Sequence, residues 1–190
     1  MIDFKLNNPT GTEYEIKSTP IWFGQVVRKY QLPKELVNRL NEEIDGRTDH
    51  SSWNDYLAGN LETQNMLYFN DDKGQIKQSV SDSFVDMFKN LGHDYMSLVP
   101  HIKSYQAELI TIWYNDQKKH EFNPIHGHNG RTPVGITGVL YLKVPEGINE
   151  GRKVKQFFQG SSAEGRTHIF SNDASQLSRR SFLPKLQEGD

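Results

Sequence analysis

The stretch FNPIHGHNG, residues 122–130, puts two imidazoles at alternate positions, His126 and His128. On extended backbone alternate side chains point to one side, so the two rings would converge on a common point while Gly127 faces away without bulk. Two neutral imidazoles suit a divalent first-row metal, and such a site needs at least one further ligand for useful affinity. The chain has no cysteine, which excludes thiolate ligands, disulfides and a cysteine nucleophile. A metal site must therefore be built from His, Asp and Glu, a donor set that favours iron, zinc or manganese. By itself a His-x-His pair is a thin signal, and the plainer reading is two exposed loop histidines beside Asn129 and Gly130.

The elements that would hold this pair change character along the chain. Residues 32–46, LPKELVNRLNEEIDG, predict a helix: Pro33 suits a first helical position, Leu36, Val37, Leu40 and Ile44 share a face, and Gly46 supplies a stop. Residues 49–65 are polar with scattered aromatics and read as loop. From Ser79 towards Pro100, Val80, Phe84, Met87, Phe88, Leu91, Tyr95 and Leu98 keep helical spacing, with Gly92 and His93 marking a bend. That aromatic stripe is a packing face for a sheet. Beyond Pro100 the pattern turns to β-branched and aromatic residues in loose alternation. Residues 104–115, 136–145, 153–160 and 166–171 predict four strands, separated by Gly, Pro, Asn and Ser clusters. Helices first and short strands afterwards predict a mainly β, α+β domain with N-terminal helices, a sandwich or jelly roll and not an alternating parallel fold. One domain spans 1–190, with 1–100 as a buttress of helix and loop and 104–190 as the β core.

Composition narrows the function classes. A chain of 190 residues can bury a sizeable core. Its net charge is −2 and no stretch is strongly basic, so the broad electrostatic footprint of a duplex-binding protein is missing. The local pairs Lys118-Lys119 and Arg179-Arg180 read as solvated surface. No window approaches the roughly 18 apolar residues of a membrane span, so no membrane partner is expected. The N-terminus lacks the basic start and apolar run of a signal peptide. Together with the absence of cysteine this leads to an expected cytoplasmic location.

Residues 112–130, IWYNDQKKHEFNPIHGHNG, followed by TGVLYLKVPEG at 137–147, resemble the 2-oxoglutarate/iron(II)-dependent oxygenases, in particular a small branch common in phages and marine bacteria. That family has a Trp-x-Asn strand, a polar turn, His-x-His in place of the commoner His-x-Asp, a Ser/Thr-Gly start and an apolar strand ending in Lys-x-Pro. The resemblance implies a double-stranded β-helix, the jelly-roll barrel of these enzymes, with iron(II) as cofactor and 2-oxoglutarate as co-substrate. It makes His126 and His128 the first two members of a facial triad of metal ligands that leaves positions open. Asn115 matches a position where a side-chain amide helps to hold 2-oxoglutarate, although it also reads as a turn residue at a strand end. Thr137 and Tyr141, on the next expected strand, are candidates to face the barrel interior and bind the co-substrate, and Trp113 reads as core or pocket wall. The implied activity is hydroxylation of an unactivated C–H bond in an unidentified substrate, whether a protein side chain, a small molecule or a nucleobase.

The sequence departs from this family at its C-terminal end. There a proline and Glu-Gly-Asp lead into an apolar strand ending in a distal histidine, the third ligand. An arginine or lysine then pairs with the far carboxylate of 2-oxoglutarate, a task that suits a bidentate guanidinium. Here PKLQEGD occupies 184–190 and the sequence ends, so the expectation is an incomplete barrel that lacks its last strands. His168 is the alternative third ligand, but it precedes Glu-Gly-Asp; Arg179 and Arg180 lie in a polar loop. His50, His93, His101 and His120 have no ligand-like companions and read as surface. An incomplete barrel exposes a sheet edge, which favours association into a homo-oligomer. The rival expectation is a non-catalytic jelly-roll binding module, or a phage structural module, whose histidines hold a structural metal or none.

Overall fold

The computed structural model describes residues 2–7, 13–23, 25–48, 52, 61–99, 103–124, 126, 135–148, 167, 169–170, 181–182 and 184–190. In chain order the elements are β1 (Ile2–Asn7), β2 (Glu13–Phe23), β3 (Gln25–Gln31), α1 (Lys34–Asp45), β4 (Thr63–Asn70), β5 (Ile76–Gln78), α2 (Asp82–Met96), β6 (Thr111–Asp116), β7 (Ile169–Phe170) and β8 (Ser181–Phe182). The fold is mainly β with two helices, an α+β arrangement. The strands form sheets in the orders β1-β2-β3, β5-β4-β6 and β7-β8. The pairs β2–β3, β4–β5, β4–β6 and β7–β8 are all antiparallel. No helix among the described residues is long and apolar enough to cross a membrane. The chain divides into two compact units made of interleaved stretches. One comprises Met1–Lys5, Tyr14–Asn38 and Val139–Asp190; the other comprises Leu6–Glu13 and Arg39–Gly138.

In the first unit, β2 shows strict alternation. Tyr14, Ile16 and Ser18 are buried, while Glu13, Glu15, Lys17 and Thr19 are exposed, as a strand with one covered face requires. Its hairpin with β3 runs from Phe23↔Gln25 back to Lys17↔Gln31. The buried Ser18 hydroxyl accepts from Arg28 Nε at 3.2 Å and Nη2 at 2.9 Å, and the guanidinium lies 5.4 Å from the Tyr30 ring centroid. A buried guanidinium requires such partners. These strands correct the expectation of helix and loop for residues 1–100, a stretch that holds β1 to β5.

Further along the chain, the strand expected over 136–145 does not form, and residues 135–139 are exposed without regular structure. An apolar run becomes a strand only when a neighbour completes its ladder. Here Tyr141 instead hydrogen-bonds a turn at the end of the chain: its N–H donates to the Asp190 main-chain oxygen at 2.8 Å, and its carbonyl accepts from Gly189 N–H at 2.7 Å. Gly189 N–H and carbonyl are both used, since Leu32 N–H donates to Gly189 O at 2.8 Å. Ile169 pairs with Phe182 within the expected strand 166–171; the expected strand 153–160 lies outside the described residues.

The helices follow their sequence pattern closely. In α1, which starts directly after Pro33, Leu36, Val37, Leu40 and Ile44 are buried. Gly46 N–H donates to Glu42 O at 2.9 Å, closing its last turn. In the second unit, α2 buries Phe84, Val85 and Met87. Its N-cap Ser81 accepts from Phe84 N–H through Oγ at 3.3 Å. Glu43 of α1 reaches across to the same cap, accepting from Ser81 N–H and, at 3.0 Å, from its hydroxyl. Gly92 and His93 do not interrupt the helix, and α2 runs unbroken to Met96. A single glycine lowers helix propensity by about 1 kcal/mol, which the buried face of α2 outweighs. β4 is the central strand of its sheet, with β5 on one edge and β6 on the other.

Candidate functional site

β6 supplies the first two residues of interest. In its register with β4, Trp113 lies opposite Met66 and Asn115 opposite Gln64. Cross-strand partners and residues two apart share a face, so Trp113, Asn115, Met66 and Gln64 form one patch. Asn115 is exposed and Trp113 half-buried, whereas Gln64 is fully buried and its Oε1 has no hydrogen-bond donor. The opposite face is held by different chemistry. Asn65 Nδ2 donates to the Tyr114 hydroxyl at 3.1 Å, Arg47 places its guanidinium 5.7 Å from the Tyr114 ring centroid, and Arg47 Nη2 donates to Met66 O at 3.0 Å. A cation over an aromatic face is attractive, more so when both are withdrawn from water.

After Asp116 the chain turns sharply, with His120 in the left-handed region at φ 74°, where a non-glycine residue is held only by its surroundings. Those surroundings are specific. One oxygen of Glu121 accepts from Lys118 N–H at 2.6 Å and the other from Glu62 N–H at 2.9 Å. Lys118 Nζ returns to Glu62 Oε2 at 2.8 Å, and Gln117 Nε2 donates to Glu121 O at 2.8 Å. The turn is thereby strapped to the residue just before β4. Hydrogen bonds from the Lys118 N–H, and then from the Glu62 N–H, hold the Glu121 carboxyl below the usual carboxylate range. Conversely, the Glu62 carboxylate holds the Lys118 ammonium above its ordinary value.

A depressed carboxyl contributes stability at pH above its unfolded value and loses it as pH falls through its folded value. The strap should therefore be intact at neutral pH and release in acid, below the usual carboxylate range. Hydrogen exchange of the Lys118 and Glu62 amides, referenced to amides of β4, should accelerate there in the parent chain. In Glu121→Gln the same exchange should be fast throughout and indifferent to acid. Equal acid dependence in both would remove the carboxylate from the strap.

Beyond the turn, Phe122 is 55% exposed and His126 is exposed as well. His126 Nδ1 lies 2.7 Å from Pro124 O. A carbonyl only accepts, so Nδ1 carries a proton in this contact. This is the arrangement by which metal-binding histidines fix their tautomer. His128, the other half of the pair, lies outside the described residues, as do His50, His101 and His168. Among the described residues no group of three His, Cys, Asp or Glu side chains could hold a metal. The two remaining histidines are exposed, as expected, and His93 stacks at 5.7 Å on Tyr105, whose hydroxyl is 3.1 Å from its Nδ1.

Thr137 and Tyr141 are not on a strand, which corrects the position expected for them. Thr137 is exposed in the irregular stretch 135–140. Tyr141 belongs to the first unit, where its hydroxyl donates to Thr167 Oγ1. Burial pushes its phenol up, partly offset by the Thr167 hydrogen bonds, and the Asp190 carboxylate pushes it further in the same upward direction.

Sequence reasoning did not single out Gln64, Arg47 or the Glu62–Glu121 strap. Glu62 and Glu121 are 59 residues apart, and no local motif marks a pair at that distance. A polar run inside a strand, Gln64-Asn65, was the one available signal. No family model, curated protein or solved structure matches the chain.

Proposed function

We propose that this chain carries the metal-binding face of a 2-oxoglutarate- and iron(II)-dependent oxygenase with a jelly-roll ancestry, working in a reducing cytoplasm. The observation that carries the reading is the His126 contact: its Nδ1 lies 2.7 Å from Pro124 O, the kind of main-chain contact by which metal-binding histidines are oriented. The motif over 112–147 supports it, and so does the antiparallel β4–β6 pair on which Trp113 and Asn115 stand. In this reading His126 and His128 hold iron, which with 2-oxoglutarate and oxygen supplies the oxidising chemistry. The Asn115 amide donates to a carboxylate oxygen of 2-oxoglutarate, the Thr137 hydroxyl is a further donor to it, and the Trp113 ring walls the site. A cytoplasm that keeps iron ferrous suits a chain without cysteine.

The experiment is to supply the protein with iron(II), 2-oxoglutarate and air, with no second substrate, and to measure succinate. Slow release above a metal-free control is expected. Asn115→Ala should raise the 2-oxoglutarate concentration for half-maximal release by about tenfold, the worth of one charge-assisted hydrogen bond at roughly 1.4 kcal/mol, and leave the maximal rate near that of the parent. Such a split is the signature of binding lost equally from ground and transition states. No succinate from a protein with iron demonstrably bound would overturn the oxygenase reading in favour of a binding or structural module.

A further inference from the structure

We infer that the turn Gln187–Asp190, gripped by Lys29 and Leu32, is a clasp that aims the Tyr141 side chain, with Lys29 and Asp190 as its positioning residues. The clasp closes on itself first: Gln187 N–H donates to Asp190 Oδ2 at 2.9 Å, and Asp190 N–H donates to Gln187 O at 3.1 Å. It is then fastened to the end of β3 and the residue after it. Lys29 Nζ pairs with Asp190 Oδ2 at 2.8 Å, Gln31 Nε2 donates to Glu188 O at 2.9 Å, and Leu32 N–H donates to Gly189 O at 2.8 Å. Leu186 is buried just ahead of it.

The other side of the clasp holds Tyr141. Both main-chain polar groups of Tyr141 are engaged, the N–H by Asp190 and the carbonyl by Gly189. Two hydrogen bonds on one residue fix its φ and ψ, and with them the direction of its Cα–Cβ bond. The phenol that this bond aims reaches Thr167. Because 135–140 has no strand to hold it, the clasp replaces the missing ladder at the residue that needs a defined direction. The Asp190 side chain is 5% exposed against 33% for Lys29, so removing the lysine takes the charge partner from a buried carboxylate, and neutralising the carboxylate removes the charge that Lys29 pairs with. The charge of Asp190 is felt at the phenol itself.

The clasp does not rest on the oxygenase reading. The test follows the Cζ resonance of Tyr141 in protein labelled at tyrosine, identified by its loss in Tyr141→Phe. In Lys29→Met and Asp190→Asn the Tyr141 signal should shift and broaden, whereas Lys29→Arg, which keeps the ion pair, should restore the parent position. Amide signals of β2 should be unchanged in all three, which separates loss of aim from loss of fold. A Tyr141 signal in Lys29→Met and Asp190→Asn identical to the parent would overturn the clasp.

Discussion

Replacing His126 by alanine is expected to reduce succinate release to the metal-free background. The substitution deletes the imidazole and, with it, the contact between Nδ1 and Pro124 O that orients the ring. A site with one imidazole fewer holds a divalent metal poorly, and the loss should appear as a large fall in affinity before any turnover is measured. Cobalt(II) titration gives that affinity without relying on oxygen chemistry. Because His126 is exposed, the urea midpoint of His126→Ala should stay within about 0.5 kcal/mol of the parent. Unchanged metal affinity would take His126 out of the site.

The largest expected loss of stability comes from a single methyl group at Gly189. Its φ is +87°, and a Cβ there would lie 2.8 Å from Leu32 O and 3.0 Å from Val37 Cγ2. The left-handed conformation costs a non-glycine residue about 1–2 kcal/mol. The overlap with a backbone oxygen adds a second cost, because that oxygen belongs to the residue whose N–H is bonded to Gly189 and cannot retreat alone. Gly189→Ala should therefore lower stability by about 2–4 kcal/mol. Gly74 is the internal control: its φ is +75° and nothing lies within 4 Å of a Cβ placed there, so Gly74→Ala should cost only the conformational part. Urea midpoints of the two variants measure the difference. Equal losses would mean that Leu32 and Val37 yield freely to the added methyl.

These positions also show what could be read along the chain and what could not. α1 and α2 were legible because Leu36, Val37, Leu40 and Ile44, and likewise Phe84 and Met87, repeat at the helical period, and burial of that face decides the structure. β6 was legible in part: β-branched and aromatic residues marked it, but of the strand expected over 104–115 only the stretch from Thr111 forms. β2 was hidden because charged residues fill its exposed positions and Pro20 argues against a strand interior. β4 was hidden for a different reason. Gln64, Asn65 and Asn70 are buried in it, so no apolar alternation exists to be seen. The run 136–145 misled in the opposite sense, since apolar composition says nothing about whether a neighbour is present to pair with it. The contact of His126 Nδ1 with Pro124 O depends on the local path of the backbone, which residue spacing does not show. The clasp on Tyr141 was invisible because its partners are distant in sequence, and only the fold brings them together.

The clasp also has a meaning for the order in which the molecule can be assembled. Gln31 and Glu188, which it joins, are 157 residues apart. In a chain made from its N-terminus, the hairpin of β2 and β3 is complete long before residues 184–190 exist. Until they emerge, the Leu32 N–H and the Lys29 ammonium must find their partners in water. The stretch Arg39–Gly138 has no such wait, because the partners of β4, β5, β6 and α2 described above all lie within it. Closing a longer loop adds only about 0.6 kcal/mol per doubling of its length, so the delay costs time far more than stability. The first part of the chain to be synthesised is thus among the last to be finished.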